Sequence, residues 1–284
     1  MLQCSTNFEI DKGVITRKLL MFQACSRLSK IVLQTPWYEF VASVHTNFME
    51  SQVLQDTVKP FRVSIEGNIG AGKSEMIKHF SGFTDVNAHM EPVSEWCNVQ
   101  GHNLLELLYK NLNRHNFMFQ NYVQLTRLKT QMHQTNKRVH MFERSLQSNR
   151  FCFVEMAHNC GQLLGAEYVV LCKWYEWMQQ NFDIQLDLIV YLRGSPELCY
   201  ERVQRRKRPE ESSVSLGYMQ KLHESYEHWL LQTKPTAPVL VIDVNKEMDR
   251  VKQDYIRYQS YILGHTKLNS DTVKWGPFEE SIIV

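Results

Sequence analysis

The run Gly67-Asn68-Ile69-Gly70-Ala71-Gly72-Lys73-Ser74 constrains this chain more than any other, because it fits G-x-x-x-x-G-K-[ST] in the setting that gives the pattern meaning. Before it, Phe61-Arg62-Val63-Ser64-Ile65 alternates apolar and polar residues as a strand does. After it, Glu75 to Phe80 has helical spacing. A strand feeding a glycine-rich turn that opens a helix aims consecutive backbone N–H groups and the positive helix end at phosphate oxygens. Lys73 is then placed to reach the outer phosphates and Ser74 to offer a hydroxyl to Mg²⁺.

Four further strand candidates follow, at Asn87 to Met90, Arg138 to Phe142, Leu186 to Leu192 and Val239 to Val244. The stretches Leu104 to Tyr109, Phe117 to Met132, Leu163 to Asn181, Ser195 to Arg206, Leu216 to Leu231 and Lys246 to Leu263 read as helices. Ser195-Pro196 starts one of them with an N-cap and a proline in the first turn. Behind a phosphate loop, this alternation predicts an α/β P-loop fold: a doubly wound, five-stranded parallel sheet with helices on both faces. At 284 residues and 43% hydrophobic, the chain is long enough to bury one large core.

Residues 59–264 are expected to form that domain, residues 265–284 a flexible tail, and residues 1–58 a leader. Lys12 to Gln34 carries Lys12, Arg17, Lys18, Arg27 and Lys30 with no acid, which suits a mitochondrial presequence. Glu9 and Asp11 ahead of it, and Trp37 to Phe40 after it, suit one poorly. A disordered leader, with Met49 able to open a shorter cytosolic form, stays equally open, so both mitochondrion and cytoplasm are expected locations. The 32 Lys and Arg nearly balance the 30 Asp and Glu, so no global field recruits nucleic acid. No apolar run approaches the roughly 18 residues that cross a bilayer, so no membrane partner is expected. Seven cysteines without C-x-x-C suggest free thiols in a reducing compartment, and eleven histidines without H-E-x-x-H or similar spacing suggest no structural zinc.

Other residues say what the phosphate loop is for. Neither Asn136-Lys137-Arg138-Val139 nor Asn245-Lys246-Glu247-Met248 completes the guanine-reading N-K-x-D, so a GTPase switch is not expected. Glu91, in Met90-Glu91-Pro92 at a strand's carboxyl end, stands where open α/β sheets keep their ligand crevice and could take a proton from an attacking hydroxyl. Glu143-Arg144-Ser145 ends another strand: Glu143 could serve Mg²⁺ while Arg144 holds the attacking oxygen or the phosphoryl group, and Asp243 is a rival acid. Arg202, Arg205, Arg206, Lys207 and Arg208, followed by Pro209, Glu210 and Glu211, form a candidate lid closing over phosphates. Trp96, Tyr109, Phe119, Gln120 and Phe153 could enclose and read a base, although aromatic residues at such spacing also serve as ordinary core.

Taken in order, Ile65-Glu66-Gly67-Asn68-Ile69, Glu91-Pro92-Val93, Trp96, Gly101-His102-Asn103, Phe119-Gln120, Glu143-Arg144-Ser145, Phe153-Val154-Glu155, Asp187 to Arg193 and the lid resemble the deoxyribonucleoside kinase family. Within it they resemble the insect multisubstrate and mitochondrial thymidine kinase branch. The resemblance implies a homodimer that transfers the ATP γ-phosphoryl to the 5′-hydroxyl of deoxyribonucleosides in nucleotide salvage, with pyrimidines favoured. It implies catalytic roles for Glu91 as base, Arg144, Lys73 and Arg206; ATP contacts from Gly67 to Ser74 and from Arg202, Arg206 and Arg208; and Mg²⁺ at Ser74 and Glu143. It also implies nucleoside contacts from Trp96, Phe119, Gln120 and Phe153 around the base and from Tyr109 and Glu211 at the 3′-hydroxyl. Arg127 and Asn149 depart from the thymidine-accepting pattern: Arg127 resembles the deoxycytidine and deoxyguanosine kinases, which pair it with an Asp, whereas Asn149 brings no countercharge. A nucleoside monophosphate kinase and a non-catalytic nucleotide-binding regulator are the competing readings.

Overall fold

In the computed structural model, residues 59–233, 235–268 and 273–275 are described. The expectation of a leader over residues 1–58 lies outside them. The six strands β1 (Phe61–Glu66), β2 (Val86–His89), β3 (Val139–Glu143), β4 (Leu188–Arg193), β5 (Val239–Asp243) and β6 (Val273–Trp275) form one sheet in the order β2-β3-β1-β4-β5-β6. Every neighbouring pair is parallel. The five expected strands are all present. The edge strand β6 falls inside the run from His265 that was expected to be tail, and three residues beside β5 are too few to leave a pattern in the sequence.

The strands are buried on both faces, as a crossover-linked sheet requires. All five residues of β3 are buried, as are Leu188 to Leu192 of β4 and Val239 to Ile242 of β5. The helices packed around them are α1 (Lys73–Ser81), α2 (Leu104–Lys110), α3 (Leu112–Gln131), α4 (Gly165–Asn181), α5 (Pro196–Arg206), α6 (Leu216–Glu227) and α7 (Met248–Arg257), with shorter turns between. Chain order leaves β1 in the centre, with β3 on one side and β4 on the other. That is the switch point where a crevice opens beyond the strand ends.

Helix boundaries moved where capping decided them. α3 starts at Leu112 rather than Phe117, because Asn111 has an extended backbone and its side chain accepts from Arg114 N at 3.1 Å. The expected helix over Lys246 to Leu263 is broken at Tyr258 into α7 and Gln259–Ile262. The segment Leu146–Ser148, π-helical Asn149–Val154 and Glu155–Asn159 was not anticipated at all. Its π-turn widens the backbone and so erases the 3.6-residue period by which helices are read.

Candidate active site

At the carboxyl ends of β1 and β3 a cavity of about 410 Å³ opens, and the phosphate loop forms one wall of it. Two glycines there have no substitute. Gly67 (φ +141°) lies so close to β4 that a Cβ would stand 2.6 Å from the Leu192 carbonyl oxygen. At Gly70 (φ +80°) it would stand 2.4 Å from that of Cys199. The Asn68 side chain fastens the loop to α6, donating to the Met219 carbonyl at 2.9 Å.

Lys73 is 4% exposed, and its Nζ donates to the Asn68 carbonyl at 2.7 Å. Burial lowers its pKa to about 8, helped by the Arg144 charge and opposed by Glu143 and Glu91. Ser74 Oγ donates to Glu143 Oε1 at 2.7 Å, and Glu143 Oε2 accepts from the Glu91 backbone N–H at 3.4 Å. These are hard oxygen donors, one neutral and one anionic, and a small divalent cation carrying phosphate ligands suits them. Asp243, the rival acid, instead accepts from Asn245 N at 3.0 Å and Asn245 Nδ2 at 2.7 Å at the end of β5. It does not line the cavity.

In the same cavity, Glu91 sits between two arginines. Arg127 Nη2 donates to Oε1 at 2.7 Å and Arg144 Nη1 to Oε2 at 2.6 Å, all three side chains being less than one-tenth exposed. Burial alone would raise the carboxyl, but Arg144, Arg127 and Lys73 outweigh it and bring its pKa to about 2. The arginines are themselves tied down. Arg144, in the left-handed region at φ 62°, donates from Nε to Tyr226 Oη at 3.1 Å and from Nη2 to the Gly67 carbonyl at 3.1 Å. Arg127 Nη1 donates to the Ser145 carbonyl at 2.9 Å and to Ser148 Oγ at 3.2 Å.

Further from the loop, Gln120 is held at both ends. Its Nε2 donates to Asn116 Oδ1 at 2.9 Å and its Oε1 accepts from Asn149 Nδ2 at 2.6 Å. Trp96 meets Phe119 edge-on at 5.7 Å between ring centres, with its indole N–H on Thr126 Oγ1 at 3.0 Å. Phe153 lies beneath both guanidinium groups, 5.6 Å from that of Arg127 and 5.1 Å from that of Arg144. Arg127, which lacked an acidic partner in the sequence reading, finds one in Glu91. Asn149 is fully buried behind Gln120, does not line the cavity, and leaves its Oδ1 without a partner.

The lid closes the fourth side. Arg202, Arg205, Arg206 and Arg208 all line the cavity, and buried Glu211, on the turn Pro209–Glu211, pairs with Arg206 and, at 2.8 Å, with Arg208 Nη1. Arg202 Nη2 donates to the Val244 carbonyl at 3.0 Å. Tyr109 stands edge-on to Tyr218, 6.0 Å between centres. Of the residues to which the resemblance gives a role, Gly67, Asn68, Ala71 and Asn149 do not line the cavity and the rest do; Lys207, Pro209 and Glu210 of the lid, like Asp243, also lie off its lining.

Three contributors were missed by sequence reasoning. Glu66, with no exposed surface, accepts from Ser64 Oγ at 2.5 Å, Ser145 Oγ at 2.7 Å and Tyr226 Oη at 3.3 Å. Tyr226 thus links Glu66 to Arg144, and Tyr218 lines the cavity. The available signals were an acid at the last position of a buried strand, and two tyrosines eight residues apart on one face of α6.

A family model described as deoxynucleoside kinase matches residues 63–261, which includes every part of this site. The chain belongs to the deoxynucleoside kinase family. Over 204 residues it is 41% identical to mitochondrial thymidine kinase 2 of Macaca fascicularis, covering 71% of this chain and 77% of that one. The human mitochondrial thymidine kinase 2 gives 40% over 212 residues, covering 74% and 80%. Deoxycytidine kinase 2 of Gallus gallus gives 34% over 230 residues, covering 69% and 87%. The kinase is an ATP-dependent deoxynucleoside kinase of nucleotide salvage that works with a divalent metal, and the monophosphate-kinase and non-catalytic readings give way. Among its described residues no helix is long and apolar enough to cross a membrane.

Proposed function

We propose that this kinase transfers the ATP γ-phosphoryl to the 5′-hydroxyl of pyrimidine deoxyribonucleosides, with Glu91 as the base that receives the hydroxyl proton. The observation that carries the reading is the placement of Glu91 between Arg127 and Arg144, in one cavity with Lys73, Ser74 and the four lid arginines. Each Glu91 oxygen already accepts one arginine and keeps a second lone pair for a substrate hydroxyl. Arg144, anchored by Tyr226 and the Gly67 carbonyl, holds the attacking oxygen and the transferring group in line. Such a transfer has a loose transition state whose charge spreads over the phosphoryl oxygens. Lys73, the loop N–H groups and Arg206, with Arg202 and Arg208, supply cations to those oxygens.

Ser74 and Glu143 would hold Mg²⁺, which when bound neutralises charge on the β- and γ-phosphates. Gln120 reads the base edge between Trp96, Phe119 and Phe153, and Tyr109 and Glu211 take the 3′-hydroxyl. Because Glu211 also pairs with Arg206 and Arg208, lid closure senses the sugar as well as the phosphates. Thymidine and deoxycytidine kinases among the relatives support pyrimidines. The purified chain, offered Mg-ATP with each of the four deoxynucleosides separately, should phosphorylate deoxycytidine and thymidine well ahead of the purines. A purine preference would overturn the proposed base pocket.

The same reading includes a homodimer. Met118 and Leu125 along α3, Met132 just past its end, and Val169, Val170, Trp174 and Trp177 on α4 are large apolar side chains left exposed, and a second copy of the chain would cover them. Equilibrium sedimentation should give twice the chain mass; a monomer at micromolar concentration would count against it. Residues 1–58 are proposed to carry the chain to mitochondria, with initiation at Met49 giving a cytosolic form. A C-terminal fluorescent fusion that stays cytosolic despite an intact leader would refute that address.

A further inference from the structure

Three histidines on different elements, His89 more than forty residues from the other two, meet at the edge of the sheet. His89 ends β2, His140 is the second residue of β3, and His133 follows α3. One ring nitrogen from each lies within 4.8 Å of those of the other two. The ring centres are 5.1 Å apart for His89 and His133 and 4.9 Å for His89 and His140. Nε2 of His89 and Nε2 of His140 are shut off from solvent without any hydrogen-bond partner, an uncompensated desolvation that a ligated ion would remove. Burial lowers the pKa of both, that of His140 to about 3 with His89, Arg62 and His133 adding to it, so both rings stay in the neutral form that binds metal. Arg62, opposite His140 in the β1–β3 register, is ion-paired with Asp183 at 3.2 Å.

We propose that His89, His133 and His140 form a binding site for one borderline-soft divalent ion of the zinc, cobalt or nickel class, separate from the catalytic cation site. Around a tetrahedral ion with N–metal bonds of about 2.0–2.1 Å, the nitrogens stand about 3.3 Å apart. Exposed His133 has the freedom to swing in and complete that closure, and solvent on its side supplies a fourth ligand. Three imidazoles and no carboxylate discriminate against Mg²⁺, which takes oxygen ligands. The ion would pin the four-residue edge strand β2 to β3 and to the end of α3. It would sit two residues ahead of Glu91, and so hold in place the strand that delivers the proposed base.

The full chain, freed of any affinity tag and stripped of metal, is titrated with Co²⁺ in a large excess of Mg²⁺ and followed by its visible d–d absorption. The expected result is one tetrahedral Co²⁺ per chain, displaced by Zn²⁺, with Tm raised by about 5 °C or more once the ion exceeds its Kd a hundredfold. Outer-shell changes at metal sites alone cost about 10–100-fold in affinity, so His133→Ala, at an exposed position, should weaken binding by at least about tenfold. His133→Ala should keep both the Tm and the Mg-ATP turnover of the parent stripped of the histidine-site ion. His89→Gln should weaken binding similarly; if it fails to fold, His133→Ala alone decides. No bound Co²⁺, a thiolate charge-transfer band pointing to cysteine, or unchanged affinity in His133→Ala would each overturn the site.

Discussion

The two halves of the cavity are built differently. Apart from the lid arginines that reach over it, the phosphate side is one contiguous run of eight residues, and most of what it presents is backbone: N–H groups, a helix end, and glycines required by the carbonyls of Leu192 and Cys199. The nucleoside side is assembled from side chains on the segment after β2, α2, α3, the end of β3, the π-helical segment and the lid. Its central feature is a buried carboxylate shared by two arginines. Backbone recognition suits a phosphate tail common to every nucleotide. Recognition by side chains can be retuned one residue at a time, and it is the half in which relatives of different substrate names can diverge.

If the halves are separable, the largest effect comes from breaking the chemistry while leaving the phosphate loop intact. Glu91→Gln keeps the side-chain volume, removes the charge that both arginines share, and is expected to lower kcat by at least about a hundredfold, the scale of a lost general base. ATP affinity, measured by equilibrium binding, should change far less. Unchanged turnover would remove Glu91 from its role. A parallel collapse of ATP binding would show that the two halves are one unit.

The same contrast explains how much could be read in the sequence. The loop, its strand and its helix were legible because spacing along the chain is the geometry there, and Ser195-Pro196 started α5 as written. Glu91 and Glu143-Arg144 were legible as strand-end residues, and the resemblance paired Glu91 with Arg144, but the second arginine on Glu91 was not legible, since Arg127 reaches it from 36 positions away. Glu66 and Tyr226, 160 residues apart, left no joint signal. The three histidines on two strands and a helix end escaped motif logic for the same reason, because ligand spacing is visible only when one element carries the ligands.

A smaller effect sharpens the comparison on the nucleoside side. Arg127→Met combined with Asn149→Ala removes a bulky cation from the pocket and the side chain that holds Gln120 Oε1, so the base edge becomes more apolar and Gln120 freer to turn its amide. Thymidine use relative to deoxycytidine is expected to rise about tenfold, equivalent to roughly 1.4 kcal/mol between the two transition states. Turnover on both should fall, because Arg127 is also a partner of Glu91. The ratio of kcat/KM values therefore carries the information, and an unchanged ratio would place base selection elsewhere.

The smallest predicted effect tests whether charge crosses between the halves. Lys73 belongs to the phosphate side, yet its pKa of about 8 reflects burial first, then Arg144, with Glu143 and Glu91 pulling it back up. Only the protonated amine can meet phosphate oxygens as a cation, and kcat/KM for ATP reports ionisations of the free enzyme. That quantity should decline as pH rises through about 8, whereas kcat declines less, because bound phosphates hold the proton on Lys73. Glu91→Gln deletes one of the anions that raise the Lys73 pKa, so in that variant the alkaline decline should begin at lower pH, a shift of under roughly one unit at an effective interior dielectric of about 20. A pH profile for kcat/KM of ATP, taken on the residual activity of the variant beside the parent, reads the shift directly. An identical alkaline limb in both would mean that the two sides of the cavity meet only through the substrate, and that the field of Glu91 ends at its two arginines.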